Sequence, residues 1–218
     1  MYIVKARPEI TYAVNRMATR AIKPTTRDYD CLLRILWYLA GTPNMGVVFH
    51  PDCSADRNRA TRLFCYVDAA YATHTDSKSH SGYCFGFGDI GTGMFYSRSF
   101  KQSTVTLSST ESEHHCATEA TKEIIWIRGL LEELGFPQSE ATPVFGDSMP
   151  MISLAEDFSG NHKRVKHYIT RINFLMEQVK AETISFTHVP TDLNVADILT
   201  KPLGPSQFLA LRALLLGE

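Results

Sequence analysis

Four carboxylates stand at places in the chain where their side chains could bind metal ions together. Asp68 and Asp147 each end a short apolar run, Glu113 lies near the start of a long amphipathic pattern, and Asp197 follows a third strand-like run. Acidic residues at strand ends and helix starts can converge on one edge of a sheet although they are distant in sequence. Four such carboxylates can bind two divalent cations, an arrangement that hydrolyses phosphodiesters.

The composition is that of an ordinary globular chain. The 218 residues are 44% apolar and 21% charged, which predicts one or two domains. The net charge of −1 argues against a protein that coats polyanions broadly, but it leaves room for local basic patches. No apolar run approaches the length of a membrane span. The five unclustered cysteines and the absence of a signal-peptide core at the N-terminus predict reduced thiols in the cytoplasm or nucleus.

The first 50 residues predict two amphipathic helices and a short strand. Pro8 suits the first position of the first helix. Thr25 and Asp28 form a capping-box pattern in front of the second. Residues 47–49 predict a strand, and the polar, turn-rich stretch 51–60 predicts a boundary. The apolar face of the second helix consists of Leu32, Ile35, Leu36 and Leu39.

The rest of the chain predicts a mixed sheet with helices on its faces. Strands are predicted at 62–69, 81–88, 93–98, 143–147 and 183–189. Helices are predicted at 110–134, from 148 to about 157, at 165–181, at 193–200 and at 205–216. The inward stripe of the longest helix is Ala117, Ala120, Ile124, Ile127, Leu131 and Leu134.

Several short motifs together resemble one known family. They are Tyr66-Val67-Asp68-Ala69, Lys78-Ser79-His80-Ser81-Gly82-Tyr83, Leu107-Ser108-Ser109-Thr110-Glu111-Ser112-Glu113, Lys122-Glu123-Ile124-Ile125-Trp126-Ile127-Arg128, Gly146-Asp147-Ser148, Lys166-His167 and Ala196-Asp197-Ile198-Leu199-Thr200-Lys201-Pro202-Leu203. In this order they resemble the ribonuclease H domain of copia-type retrotransposon Pol polyproteins. Residues 7–50 resemble the end of the preceding reverse transcriptase, its thumb or connection region, without the polymerase's own Asp-Asp strand. The domains expected are 1–58, 59–203 and a C-terminal helix at 204–218.

The resemblance implies a fold, a reaction and a set of partners. The fold is a ribonuclease H-like, five-stranded mixed sheet flanked by helices, preceded by a short helical N-terminal segment. The reaction is endonucleolytic cleavage of the RNA strand of RNA–DNA hybrids with two Mg²⁺ ions, for which Mn²⁺ can substitute. The implied catalytic and metal-binding residues are Asp68, Glu113, Asp147 and Asp197. The partners are the hybrid and the polymerase domain of the parent polyprotein, with a homodimer as a further option, in cytoplasmic virus-like particles or in the nucleus.

The chain departs from the family pattern at three positions. The family usually has Asp-Ala-Asp where this chain has Asp68-Ala69-Ala70, Asp-Asn where it has Asp147-Ser148, and Tyr where it has His114. The acid missing at Ala70 is not among the four expected metal ligands.

Glu111 and Glu113 compete for the second ligand position. They are two residues apart, so their side chains point in different directions on a helix. Glu113 has Ala117 one turn further along the core face, whereas Glu111 follows Ser108 by three residues, as a capping-box residue does. The pattern favours Glu113 as the ligand.

Basic and hydroxyl residues near these motifs are candidates for contacts with the substrate. They are Lys78, Ser108, Ser109, Thr110, Arg164, Lys166 and His167. The alternative to substrate binding is that each of these residues simply lies on a solvated turn or helix face. The consecutive residues His114, His115 and Cys116 diverge on a helix, so they are not expected to chelate a metal.

Two other functional interpretations remain open at this stage. One is a domesticated, non-catalytic module that binds nucleic acid or another polypeptide, which Ala70 and the truncated polymerase region motivate. The other is an integrase of the same fold. This interpretation is disfavoured because integrases use three acids in a different order and lack a motif like the one at residues 196–203 of this chain.

Overall fold

A five-stranded mixed sheet forms the centre of the molecule. The computed structural model describes residues 2–50, 60–88, 91–156 and 168–218, and of residues 154–156 it describes the backbone only. The sheet order is β3-β2-β1-β4-β5, in which β1, β2 and β3 are antiparallel neighbours and β4 and β5 run parallel to β1. The strands are β1 (Leu63–Ala70), β2 (His80–Phe87), β3 (Met94–Lys101), β4 (Thr142–Gly146) and β5 (Ile184–His188).

Helices lie on both faces of this sheet and in the N-terminal segment. The α-helices are α1 (Ile3–Ala6), α2 (Thr11–Ala18), α3 (Thr26–Gly41), α4 (Ser109–Glu133), α5 (Met149–Glu156), α6 (Ile169–Lys180) and α7 (Pro205–Leu216). Short 3-10 helices occupy Pro8–Ile10, Thr191–Leu193 and Val195–Leu199. The predicted fold class, a ribonuclease H-like sheet with flanking helices and a helical N-terminal segment, is confirmed. In the part of the chain that the structure describes, no helix is both long and apolar enough to cross a bilayer.

Both faces of β1 are buried, which explains its nearly continuous apolar sequence. On one face Cys65 and Val67 belong to a core that includes Ala117 and Ile124 of α4. On the other face Tyr66 packs in a second core that the 3-10 helix Val195–Leu199 and α7 help to build. A strand covered on both faces reads as an apolar run rather than as an alternating pattern. Asp68 is therefore the polar exception in an otherwise apolar strand.

The predicted stripe of α4 is confirmed except at its last position. Ala117, Ala120, Ile124, Ile127 and Leu131 are buried against the sheet. Leu134, by contrast, is 61% exposed, because it is the C-terminal cap residue and lies beyond the last turn that reaches the core.

The N-terminal segment packs on the sheet domain. The predicted capping box of α3 is confirmed, since Thr25 accepts a hydrogen bond from the Asp28 amide and Asp28 accepts one from the Thr25 amide. Asn15 of α2 donates its side-chain amide to the Ser99 carbonyl of β3 over 2.7 Å. Arg7 donates to Glu9 over 2.7 Å and to the Thr42 carbonyl over 2.9 Å, which ties the start of the segment to the end of α3.

One element prediction was wrong. Residues 47–49 form no strand; they are irregular, and the Val48 amide donates to the Leu216 carbonyl over 2.7 Å. The helix predicted at 193–200 is present at Val195–Leu199, and it is a 3-10 helix. The Asn194 side chain caps this tight helix by accepting a hydrogen bond from the Ala196 amide. The domain boundary predicted at residue 58 falls outside the described residues.

Candidate metal centre

Three carboxylates from three separate elements meet at one end of the sheet. Asp68 is near the end of β1, and Asp147 directly follows β4. Because β1 and β4 are parallel neighbours, their carboxyl ends lie at the same edge. Glu113 lies in the second turn of α4, whose N-terminus Ser108 caps at this edge. One oxygen of each carboxylate lies within 4.8 Å of the other two, so the three can share a metal ion.

Burial makes this cluster electrostatically costly when no cation is bound. Asp68 is 3% and Glu113 is 8% exposed. Burial raises the pKa of Glu113 well above its usual value, and the charges of Asp68 and Asp147 raise it further. Burial also raises the pKa of Asp68, while the Lys201 ammonium and a hydrogen bond from Thr200 oppose that shift. A divalent cation would relieve this repulsion because it favours the ionised form of all three groups.

Asp197 lies beside Asp68, and a lysine links the two. The Lys201 Nζ is 2.9 Å from Asp197 Oδ1 and 3.7 Å from Asp68 Oδ2. Burial and the Asp68 charge raise the pKa of Asp197 to about 7. Among the described residues, the set whose ligand oxygens lie within 4.8 Å of one another is Asp68, Glu113 and Asp147, without Asp197. The structure therefore brings three of the four predicted ligands together and places the fourth next to Asp68.

Hydroxyl and amide side chains hold these acids in place. Thr200 Oγ1 donates a hydrogen bond to Asp68, and Thr191 Oγ1 donates one to Asp147 over 2.8 Å. Asn194 Nδ2 donates to the Val67 carbonyl over 3.0 Å, which fastens the 3-10 segment to β1 immediately beside Asp68. The sequence reasoning assigned no role to these side chains or to Lys201. Lys201 follows Asp197 by four residues, and in a helical turn this spacing indicates an ion pair.

A glycine on β2 allows the 3-10 helix to approach the sheet. Gly82 is paired with Asp68 across the β1–β2 ladder. A Cβ atom at Gly82 would lie 2.6 Å from Leu199 Cβ and 2.8 Å from Thr200 Cγ2. The close approach at this point lets Thr200 reach Asp68.

Glu111 and Glu113 have different surroundings. Glu111 Oε2 accepts a hydrogen bond from the Leu107 amide over 2.7 Å, and its own amide donates to Ser108 Oγ over 3.1 Å. These are the contacts of a helix-capping residue. Glu113 instead joins Asp68 and Asp147 in the carboxylate cluster, as the ligand assignment from the sequence requires.

Four of the seven residues predicted to contact the substrate lie in the described part of the chain. Ser108, Ser109 and Thr110 form the start of α4, the same helix that carries Glu113, and Ser109 is exposed. Lys78 is half-buried in the loop between β1 and β2. Arg164, Lys166 and His167 lie outside the described residues.

The chain is similar to long Pol polyproteins of plant transposons. It is 33% identical over 208 residues to the retrovirus-related Pol polyprotein from transposon RE2 of Arabidopsis thaliana, a match that covers 95% of this chain and 14% of that protein. It is 34% identical over 207 residues to the corresponding polyprotein from transposon TNT 1-94 of Nicotiana tabacum, with 94% of this chain and 15% of that protein covered. No family model matches the chain.

Among solved structures, the chain is similar to a ribonuclease H1 isolated from compost, LC11-RNase H1. The TM-score is 0.48 at 17% identity, and the match covers 64% of this chain and 93% of that chain. The fold is ribonuclease H-like, and the sequence relatives are Pol polyproteins of transposons. The chain belongs to the family of retrovirus-related Pol polyproteins of copia-type transposons. It spans about a seventh of the length of these polyproteins.

Proposed function

We propose that this chain is a ribonuclease H that hydrolyses the RNA strand of RNA–DNA hybrids during retrotransposon reverse transcription, with two divalent cations as cofactors. The observation that supports this most is the convergence of Asp68, Glu113 and Asp147 from β1, α4 and the end of β4. Two of these groups are almost completely buried, and burial raises the pKa of each. A fold gains no stability from like charges buried together, so their convergence favours a metal site.

The donor set fits hard divalent cations. Carboxylate oxygens are the ligands that Mg²⁺ and Mn²⁺ prefer. In the proposal Glu113, Asp147 and Asp68 would hold one ion, and Asp197 would hold the other together with Asp68. When bound, the two cations would lower the pKa of the attacking water and stabilise the departing 3′ oxygen.

The residues of the chain have to keep the acids ionised and correctly oriented. Thr200 and Lys201 both contact Asp68, and each favours its carboxylate form. Lys201 does the same for Asp197, for which it provides a hydrogen bond and a positive charge. Because Asp68 is on a central strand and Glu113 is on a capped helix, both side chains are held by rigid elements, as a precise catalytic site requires.

The same site must select a hybrid over other duplexes. The 2′-hydroxyl distinguishes an RNA strand from a DNA strand chemically. Ser108, Ser109 and Thr110 can offer hydroxyl and amide groups to it, because they begin the helix that carries Glu113. Contacts to phosphates and 2′-hydroxyls carry no base information, so cleavage should show little sequence preference.

The decisive experiment is gel analysis of the full chain with an end-labelled RNA–DNA hybrid, duplex DNA and duplex RNA. We expect Mg²⁺ or Mn²⁺ to support cleavage of the RNA strand of the hybrid alone. Asp68→Asn, which removes a carboxylate charge at constant volume, should bind the hybrid without cutting it. Cleavage that survives EDTA, or duplex DNA cut as fast as the hybrid, would contradict the proposal.

A non-catalytic nucleic-acid-binding module is the second candidate. The ammonium of Lys201 already lies between Asp68 and Asp197 and partly neutralises them without a metal. Hybrid binding by the wild-type chain without cleavage, in Mg²⁺ and in Mn²⁺, would favour this candidate. In that case Lys201→Met should leave hybrid binding unchanged, whereas in an active enzyme it should alter the Mg²⁺ concentration that gives half-maximal cleavage.

We also propose that the polymerase domain of the parent polyprotein is the partner of the N-terminal segment. Leu32 and Leu36, on the predicted apolar face of α3, are 44% and 52% exposed. Light scattering of this chain, alone and mixed with the purified polymerase domain, tests the proposal. A dimer that Leu32→Ser and Leu36→Ser abolish would assign this face to a second copy instead.

A further inference from the structure

Positive charge is concentrated in the N-terminal segment. Residues 1–50 contain seven Lys or Arg and three Asp or Glu, whereas the remaining chain contains 15 and 20. A nuclease has to bring a polyanion to a cluster of carboxylates, which repels it. After residue 50 the acids exceed the basic residues by five, so the net charge of the sheet domain does not supply the attraction that this requires. In the N-terminal segment the basic residues exceed the acids by four, and this excess is available to attract a polyanion.

Part of this charge lines a groove between α2 and α3. The groove has a volume of about 670 Å³, and its apolar floor includes Ile10 and Ile35. Three arginines line it: Arg16 from α2, and Arg27 and Arg34 from α3. We call these three side chains the arginine rim.

The arginine rim has charge to offer a ligand. Arg27 and Arg34 are exposed, and within the described ranges neither makes an ion pair. The acid in the groove, Glu9, is already paired with Arg7 over 2.7 Å. Seven residues separate Arg27 from Arg34, so they lie on the same side of α3, roughly 10 Å apart along its axis. Along the axis of a nucleic-acid helix, that distance corresponds to the rise of about three base pairs.

The groove lies next to the metal centre. Pro202 lines it, and the preceding residue, Lys201, contacts Asp68 and Asp197. Arg16 Nη1 is 2.8 Å from His74 Nδ1, in the loop that follows β1 and its Asp68. A strand of nucleic acid that crosses the metal centre can therefore continue along the groove.

We propose that the arginine rim binds the sugar–phosphate backbone of the hybrid beside the cleavage site. The inference rests on the proposed function and adds to it a contact surface outside the sheet domain. Arginine is well suited to this contact because its planar guanidinium pairs with phosphate oxygens in a bidentate manner. The contact is independent of sequence and supplies affinity rather than chemistry.

The test compares two double variants that remove equal charge. Arg27→Ala with Arg34→Ala removes the exposed part of the rim. Arg62→Ala with Lys180→Ala is the matched control, because these residues precede β1 and β5 and so lie at the end of the sheet opposite Asp68. Arg62 makes an exposed ion pair with Glu140, and the loss of such a pair costs little stability. Thermal unfolding of both variants verifies that they are folded.

Fluorescence anisotropy with a labelled hybrid in Ca²⁺ gives the binding constants over a range of salt concentrations. Each phosphate contact contributes about 0.9 to the slope of log K against log salt, so the rim variant should have a slope shallower by about 1.8. Between 50 and 200 mM salt, the affinity of the wild type should therefore fall about 12-fold more than that of the rim variant. The control variant should match the wild type.

Cleavage assays separate failure of this inference from failure of the proposed function. On a long hybrid, the rim variant should have a raised KM with kcat retained. On a short hybrid that spans only the metal centre, its KM should equal that of the wild type. A wild-type chain that binds but cuts nothing would refute the proposed function, while the salt slopes still decide the role of the rim. Equal slopes for the wild type and the rim variant would overturn the inference and leave the groove to a protein partner.

Discussion

Gly82→Ala tests whether the close approach of the 3-10 helix to β2 positions the metal centre. The added Cβ would lie 2.6 Å from Leu199 Cβ and 2.8 Å from Thr200 Cγ2. Neither neighbour is the far end of a flexible side chain, so the 3-10 helix itself has to move. Carbon atoms in contact are separated by about 3.5–4.0 Å, and the required displacement is therefore about 1 Å.

A displacement of this size has two consequences. Overpacking of a core typically costs about 1–3 kcal/mol, which for a chain of this length lowers the Tm by roughly 2–12 °C. It also shifts Asp197 and the Thr200 hydroxyl relative to Asp68, which they contact or adjoin. A misplacement of about 1 Å in a catalytic site can reduce the rate about a hundredfold. We therefore expect Gly82→Ala to remain folded and to lose most of its activity.

The assay is the rate of hybrid cleavage at saturating Mg²⁺ and substrate, measured beside the Tm. Gly129→Ala is the matched control, because Gly129 is in the interior of α4 and a Cβ there meets nothing within 4 Å. It should retain activity and gain stability, by up to about 1 kcal/mol, since alanine favours a helix over glycine. A folded Gly82→Ala variant with the activity of the wild type would refute the argument that this contact positions the acids.

Three further predictions follow from the buried charges. Glu113→Gln should lower the cleavage rate more than about a hundredfold, because it removes a metal ligand. Glu111→Gln should stay active and lose only about 1 kcal/mol of stability, because it weakens a helix cap. An active Glu113→Gln variant beside an inactive Glu111→Gln variant would reverse the assignment. The pKa of Asp197 in the folded chain is about 7, above its usual value of 3.8. In EDTA, the stability that the protonated Asp197 contributes should therefore be lost as the pH rises through 7, and Mg²⁺ should restore it. A Tm that does not change with pH would contradict this prediction. Arg7→Ala should lower the free energy of unfolding in urea by about 3–5 kcal/mol, because it leaves the Glu9 carboxylate buried without its ion-pair partner. Adding Glu9→Gln to the same chain should recover part of that loss. An unchanged unfolding midpoint in Arg7→Ala would contradict this prediction.

The sequence by itself determined the order of the elements, and it singled out the acids that we propose as metal ligands. Its apolar runs and helical periodicity predicted five strands and the long helix α4, because burial on one or both faces leaves a regular pattern in sequence. The capping box of α3 was also predictable, since Thr25 and Asp28 interact within a single turn. The choice of Glu113 over Glu111 followed from the direction in which a helix points its side chains, again a local property.

Only the tertiary structure decided how the acids are arranged. Lys201 and Thr200 reach Asp68 across more than 130 residues, and no local pattern encodes such a contact. The approach of the 3-10 helix depends on the space that Gly82 leaves, and no pattern in the sequence shows that Leu199 and Thr200 occupy it. The predicted strand at 47–49 fails for the same reason: its propensity was strand-like, but its Val48 amide donates to the Leu216 carbonyl at the end of α7, and it pairs with no strand in the part of the chain that the structure describes. Side-chain periodicity records which face of an element is buried, whereas the partner that buries it is fixed only when the whole chain has folded.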